Sequence, residues 1–425
     1  MIRYLKILLV LANMVWMPII ANAQLTLDDC QRLAAENYPL LKRYSLIEQS
    51  ADYSIKSINT GYIPQLRVSG QATWQSDVTT LPEAFSNLSA RGLDKKQYRL
   101  ALDLEQTLWD GGNKKARKEM VRAEKFAQQS QTDVEMYTIR ERVNHLFFGI
   151  LLLEDKLRQN EDLQKLLLTN LEKLENLYQN GAAMKADADA VRAEYLKVRQ
   201  LHTELVSSKE SFTQMLALFI AKPVSEITHL QKPDGVMPVS HEVHRPEMQL
   251  FRAQLENIST QQKLLNSGLR PSFSFFAQGY WGYPSYDMFS DMLSRSPSWN
   301  AMVGVRMSWN IGKLYSHGQE SRKLKLAKSQ IQNAQEVFLF NNSLQATEER
   351  LAIRRYRELI NEDHEIVELR TSIRESAEAK LELGIIDINN LLQEINRENE
   401  AKTNLSIHEI EMLKQIYELK HTVNK

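Results

Sequence analysis

The side chains that could do chemistry in this 425-residue sequence are few and poorly spaced for it. His241 and His244 form the one close imidazole pair, but they stand in a proline-flanked connector with no third ligand near enough to complete a catalytic zinc site. A loop pair that binds nothing is the simpler reading. The single cysteine, Cys30, excludes an internal disulfide. Its setting between Leu25 and Leu33 reads as a capped helix start, where a small buried side chain is expected rather than a nucleophile. Only 15 glycines occur, and none builds a phosphate-cradling loop or a nucleophile elbow. Carboxylates are plentiful on helical segments, where solvation is their ordinary role. No catalytic residue, metal or cofactor is therefore expected, and the chain reads as a non-enzyme.

Bulk properties narrow the class further. Arg3 and Lys6 precede an apolar run from Ile7 to Ile20, and Ala21, Asn22 and Ala23 supply a small-x-small cleavage pattern, so residues 1–23 are expected to be a secretory signal peptide. The residue after that cut is Gln24 rather than a cysteine, which disfavours a lipid anchor. Removing Arg3 and Lys6 takes the 53 bases to 51 against 53 acids, with no block of like charge, and a nucleic-acid partner is not expected. The longest later apolar run, Phe147 to Leu153, is far short of the roughly 20 residues that span a bilayer as a helix. If this chain enters a membrane it must do so as strands.

Landmarks recur at a nearly fixed offset. Gly61 and Pro64 return as Gly268 and Pro271, Trp109 and Gly112 as Trp309 and Gly312, and Gly181 as Gly384. The chain thus reads as an internal duplication. The first structural repeat is 24–220, with a helix, strands at about 65–76 and 97–109, and a coiled-coil hairpin over 113–220. A connector, 221–245, leads to the second repeat, 246–425, with strands at about 272–283 and 298–310 and a hairpin over 313–425.

The strand segments carry the period-2 pattern of a sheet with one apolar face. Leu66, Val68, Gly70, Ala72 and Trp74 alternate with Arg67, Ser69, Gln71, Thr73 and Gln75, and Tyr98, Leu100, Leu102 and Leu104 alternate with Arg99, Ala101, Asp103 and Glu105. Phe273 to Trp281 and Trp299 to Trp309 repeat this less cleanly. Each segment is about the 9 to 11 residues of a tilted transmembrane strand. Alternation alone also fits the half-buried strands of a soluble sheet. Apart from Trp16 in the signal segment, every tryptophan (Trp74, Trp109, Trp281, Trp299 and Trp309) falls in these segments, several near strand ends, as interfacial aromatic girdles do. The polar segments 77–95 and 284–298 are expected to be exposed loops.

Between the strand pairs the period changes to about 3.5, the mark of coiled-coil seams. Leu163, Leu167, Leu171, Leu174 and Tyr178 form one seam, and Val191, Tyr195, Val198, His202 and Leu205 another. A third runs Leu391, Ile395, Glu398, Lys402, Leu405, Glu409, Met412, Ile416 and Leu419, and its charged members suggest a part that faces water or a partner. Four strands cannot close a membrane barrel, because unpaired edges are untenable in hydrocarbon and the smallest single-chain barrels use eight. Several copies must share one barrel; a dimer of eight strands or a trimer of twelve or more both satisfy this.

The ordered set of these motifs, from Leu25–Cys30 and Asn37–Leu40 through the proline strand entries, the Trp109–Gly112 and Trp309–Gly312 strand exits and the two helix breaks, resembles the TolC-like outer-membrane efflux proteins over nearly the whole chain after residue 23. The resemblance implies a mostly α fold with a transmembrane β-barrel: four membrane strands per chain, a twelve-stranded trimeric barrel, and long antiparallel coiled-coil helices forming a periplasmic tunnel. It further implies a homotrimer in outer-membrane lipid, partnered by a periplasmic adaptor (membrane fusion) protein and an inner-membrane pump, as the exit duct of a tripartite efflux or type I secretion system. By the same resemblance Tyr178, Asp187, Asp387, Asn390 and Gln393 are candidates to line the periplasmic gate, and Gly181 and Gly384 mark hairpin tips that meet the adaptor. In the family an acid stands six residues after each tip glycine. Asp187 keeps that pattern, whereas Asn390 departs from it, which implies a gate lined more by carboxamides than carboxylates. A coiled-coil structural or adhesin protein without a pore is the competing class, and it leaves the four alternating segments unexplained.

Overall fold

In the computed structural model the described residues are 25–80, 82, 92–227, 230–238 and 243–424. The expected signal peptide, His241 and most of 81–91 lie outside them. Eight helices and four strands follow in chain order among the described residues: α1 (Leu27–Asn37), α2 (Lys42–Thr60), β1 (Gln65–Trp74), β2 (Lys96–Trp109), α3 (Asn113–Gln179), α4 (Lys185–Ile220), α5 (Pro246–Ser267), β3 (Ser272–Tyr283), α6 (Met288–Ser294), β4 (Ser298–Ser308), α7 (Lys313–Glu382) and α8 (Ile388–Val423). Single 3₁₀ turns follow α1 and α4.

The chain divides into two compact units, and each sequence repeat contributes to both. One contains residues up to Leu41 with Glu135–Arg245 and Phe340–Lys425; the other contains Lys42–Val134 and Pro246–Leu339. The first unit is a helical bundle. Thr26 starts α1 by accepting the Asp29 amide at 3.1 Å, and Leu27, Cys30 and Ala34 pack on Val143, Phe147 and Ile150 of α3 and on Leu216 and Ile220 of α4. Cys30 is fully buried, and burial pushes its thiol up to about 12, so it carries no thiolate at neutral pH. A second cluster joins Ala346 and Ile353 of α7 to Ile416, Leu419 and Val423 of α8.

Two details differ from the sequence expectation. Glu398 does not open the α8 seam to water. It is 3% exposed and held by the Arg374 guanidinium at 2.7 Å, Lys402 at 2.8 Å and the Thr371 hydroxyl at 2.9 Å. Beyond it the buried stripe runs Ala401, Ser406, Ile410 and Leu413 in place of Lys402, Leu405, Glu409 and Met412, with Ile410 and Leu413 in the cluster shared with α1, α3 and α4, and it rejoins the expected seam at Ile416 and Leu419. The second difference is at the strand ends: β1 and β4 stop two residues short of 76 and 310. Past β4, Trp309 turns its indole N–H to the Leu269 carbonyl at 2.9 Å.

The second unit carries the sheet, antiparallel throughout in the order β1-β2-β3-β4. Pro64 and Pro271 stand immediately before β1 and β3, where a missing N–H removes no ladder bond. At the exit of β2, Asp110 accepts the Gly112 and Lys114 amides at 3.0 and 2.7 Å, and Gly111 and Gly112 take positive φ, which converts strand to helix within three residues.

Candidate functional site: hairpin tips and sheet faces

Both helix breaks lie in the helical unit. Gly181 and Gly384 adopt φ of +75° and +70°. No atom would lie within 4 Å of an added Cβ at either, so backbone conformation rather than crowding requires glycine. The closures are identical. Ala182 donates to the Leu177 carbonyl at 2.8 Å and Gly181 to Tyr178 at 2.9 Å, while Ile385 donates to Lys380 and Gly384 to Leu381, both at 2.9 Å.

Three residues past each glycine stands the N-cap of a new helix, Met184 at the first tip and Asp387 at the second, and here the repeats diverge. At the first tip the Met184 amide donates to the Asp187 carboxylate at 3.1 Å; at the second, Asp387 itself is the N-cap and accepts the Asn390 amide at 2.9 Å. These are the two halves of a capping box, each using one carboxylate on one orphan N–H. The second repeat has thus moved its acid from the sixth residue after glycine to the third, which accounts locally for Asn390. Leu167 and Leu171 of α3, Val191 of α4, Ala377 of α7 and Leu391 and Ile395 of α8 share one core cluster beneath both tips. Around it Tyr178, Asp387, Asn390 and Gln393 are exposed and Asp187 is half-buried.

Sequence reading missed the link that ties this hairpin together. Arg374 of α7 bonds Glu398 of α8 and also Glu378 at 2.8 Å. Burial disfavours the charged forms of both partners, yet these bonds outweigh it, keeping the Glu398 carboxyl below and the Arg374 guanidinium above their ordinary ranges. The only sequence signal was an acid at a seam position.

In the sheet, ladder register sorts the side chains by face. Leu66, Leu104, Ala277 and Val303 lie across one row, Val68, Leu102, Gly279 and Ala301 across the next, and Gly70, Leu100, Trp281 and Trp299 across a third. This apolar face is bare, with Leu66, Val68, Val303 and Trp299 each about two thirds exposed or more. The intervening rows carry Arg67, Asp103 and Gln278, then Gln71 and Arg99, with Arg306 further along. Gln278 donates to Asp103, and the Arg306 guanidinium lies 4.7 Å from the centre of the Phe276 ring. Two aromatic bands bound the apolar face: Trp281 opposite Trp299 at one end, with Trp74 beyond, and Trp109 opposite Phe273 at the other. Phe273 and Trp281 are eight residues apart, roughly 27 Å along the strand and roughly 20 Å across a bilayer at a 40° tilt. The sheet does not close on itself, and β1 and β4 each have one unpaired edge.

Among the described residues no helix is long and apolar enough to cross a membrane, and no three or more His, Cys, Asp or Glu side chains cluster to hold a metal. His244, the described half of the sequence pair, bonds backbone instead: its amide donates to the Val423 carbonyl at 3.3 Å, and its carbonyl accepts Asn424 at 2.7 Å.

The described residues thus form a two-faced four-stranded sheet with open edges and a bundle of long helical hairpins. Comparison with solved structures identifies this fold. VceC, an outer membrane protein of Vibrio cholerae, superposes with a TM-score of 0.66 at 14% identity, covering 93% of this chain and 95% of its own. The CmeC outer membrane channel of Campylobacter jejuni matches at 0.66 and 14%, covering 93% and 85%, and the open state of the MtrE outer membrane channel of Neisseria gonorrhoeae at 0.64 and 12%, covering 93% and 88%. No family model and no curated protein sequence matches the chain. The chain has the fold of the outer-membrane efflux channels, the TolC-like fold its motifs resemble.

Proposed function

We propose that this protein is an outer-membrane exit duct, a passive conduit from periplasm to exterior within a tripartite efflux or type I secretion assembly. The observation that carries the reading is the sheet. A bare apolar face bounded by tryptophan bands is stable only against lipid, and the two open edges are tolerable in lipid only when paired with other copies. Three copies give twelve strands with the polar face inward. The exposed stripe of Phe340, Leu344 and Leu351 on α7, at spacings of four and seven, supports helix packing between copies as well. An adaptor docking around Gly181 and Gly384 would spread the tips, and an inner-membrane pump would supply the energy. Tyr178, Asp187, Asp387, Asn390 and Gln393 line the entrance in this reading.

Detergent-extracted protein in planar bilayers is expected to give discrete conductance steps, and their absence overturns the duct. If Asn390 and Gln393 line the entrance, Asn390→Asp with Gln393→Asp builds an acidic ring that confers block by divalent cations. An unchanged response to divalent cations removes the gate assignment and leaves the duct standing.

A further inference from the structure

The loop between β3 and β4 is exposed over much of its length, as expected, and it also folds back onto one face of the sheet. Tyr280 donates its hydroxyl to the Pro284 carbonyl at 3.2 Å. The Tyr286 amide donates to the Asn300 side-chain oxygen at 2.9 Å, its phenol donates to the Gln278 side-chain oxygen at 3.4 Å, and its ring meets that of Tyr280 edge-on at 5.2 Å. Ladder register assigns Gln278, Tyr280 and Asn300 to the same face, the polar one that also carries Arg67 and Arg99. Gln278 lies five residues before the end of β3, so the Tyr286 phenol reaches roughly 16 Å down that face.

The fold-back is anchored beyond Tyr286. Ser285 donates its amide to the buried carboxylate of Asp291, and Asp287 caps α6 by accepting the Ser290 amide at 3.1 Å. Met292 is buried with Leu93 and Tyr283, and Arg295 donates to the Gly92 carbonyl at 3.3 Å. The loop leaves three large apolar side chains open, Met288, Phe289 and Leu293, each 51% exposed, beside the exposed polar residues Asp287, Ser290, Ser294, Arg295 and Ser296. A cavity of about 390 Å³ remains beneath it, with Gln71, Arg99, Tyr280, Tyr286 and Met288 in its wall.

We propose that this loop is a constriction in the outer mouth of the pore, with Tyr286 and Met288 narrowing the exit and setting its size limit. The step rests on the duct reading. If the apolar face meets lipid, the polar face bounds the lumen, and a segment bonded to Gln278 and Asn300 sits inside it. Each copy contributes one such segment, so the narrowing is repeated around the mouth. The lining is aromatic and thioether over an arginine and amides, which filters by size and disfavours strongly hydrated ions relative to solutes with apolar surface.

The test is neutral-polymer exclusion in planar bilayers, with polyethylene glycols of graded size added to one side at a time. The size at which polymer stops lowering the conductance is expected to rise, from one side only, when residues 285–296 are replaced by a short glycine-serine linker, and to rise partially in Tyr286→Ala. Met288→Cys supplies a second reading that does not require shortening the loop: a bulky thiol reagent should lower the conductance, with fully buried Cys30 unreactive. An unchanged size limit together with no effect of the thiol reagent, in channels that still conduct, overturns the constriction. Wild-type protein that forms no channel overturns the duct reading beneath it.

Discussion

Two buried glutamates on the α7–α8 hairpin meet opposite fates. Glu398 is ionised because Lys402, Arg374 and Thr371 satisfy it despite burial. Glu349 is 5% exposed, accepts only the Thr422 hydroxyl at 2.8 Å and the Gln345 amide at 3.0 Å, both at Oε1, and leaves Oε2 without a hydrogen-bond partner. Burial pushes its carboxyl up from 4.5 to about 7 against those two bonds, and nearby Glu418 and Glu348 add to the rise. Between those two pH values the folded chain holds a proton that the unfolded chain has lost, so stability falls as pH rises through the window and stays lowered above it. Glu349→Gln keeps the shape and removes the charge. Its expected effect is a gain of up to about 3 kcal/mol at pH 8 that shrinks toward zero near pH 4.5. Denaturant unfolding at the two pH values measures this, and an equal effect at both would show that the charge is not the cause. Neither role was legible in the sequence, because an acid on a helix reads as solvated until its tertiary neighbours are known.

At the scale of elements, the helix breaks were legible and their chemistry only half so. Glycine after a long apolar period announces a left-handed C-cap, and both Gly181 and Gly384 adopt one. The sequence could not say which acid would cap the following helix, because Asp387 at the N-cap takes the N3 amide while Asp187 at N3 takes the N-cap amide, and either half of the box can start a helix. The equivalence is testable. Asp387→Ala should destabilise the second tip by about 1 kcal/mol. Adding Asn390→Asp to Asp387→Met rebuilds at the second tip the arrangement the first already uses, and most of the loss should return. Hydrogen exchange at the amides of the first turn of α8 reads both changes locally. If the rebuilt tip exchanges as fast as Asp387→Ala, the two caps are not interchangeable and Asn390 has a separate role. The seam of α8 was legible at Leu391, Ile395 and Glu398 and again at Ile416 and Leu419, and was displaced by one residue between them, because spacing alone cannot show where the helix changes the partners it packs against.

At the scale of the whole molecule, the duplication was legible from Pro64 and Pro271 and from Trp109 and Trp309, whereas the division into units that draw on both repeats was not. Contacts between α7 and α8 or among the four strands join residues far apart in sequence, and no local period encodes them. The open sheet makes the sharpest demand on assembly. Its outer strands present unpaired backbone groups beside a face bearing Leu66, Val68, Val303 and Trp299, a surface that aggregates in water and costs several kcal/mol per orphan group in lipid. One chain satisfies neither solvent. In the proposed duct, copies joined edge to edge would meet both constraints at once, turning the apolar face to lipid and pairing each β1 with a neighbour's β4, and three copies would leave a lumen wide enough to conduct. Light scattering coupled to size-exclusion chromatography, corrected for bound detergent, is therefore expected to give a protein mass of three chains, extractable from membranes by detergent and not by urea. Eight strands would appear as a two-chain mass and would move the argument to a narrower, side-chain-filled barrel unable to conduct. A one-chain mass in water without detergent would mean that some other surface of the chain covers the sheet, and the duct would fall with it.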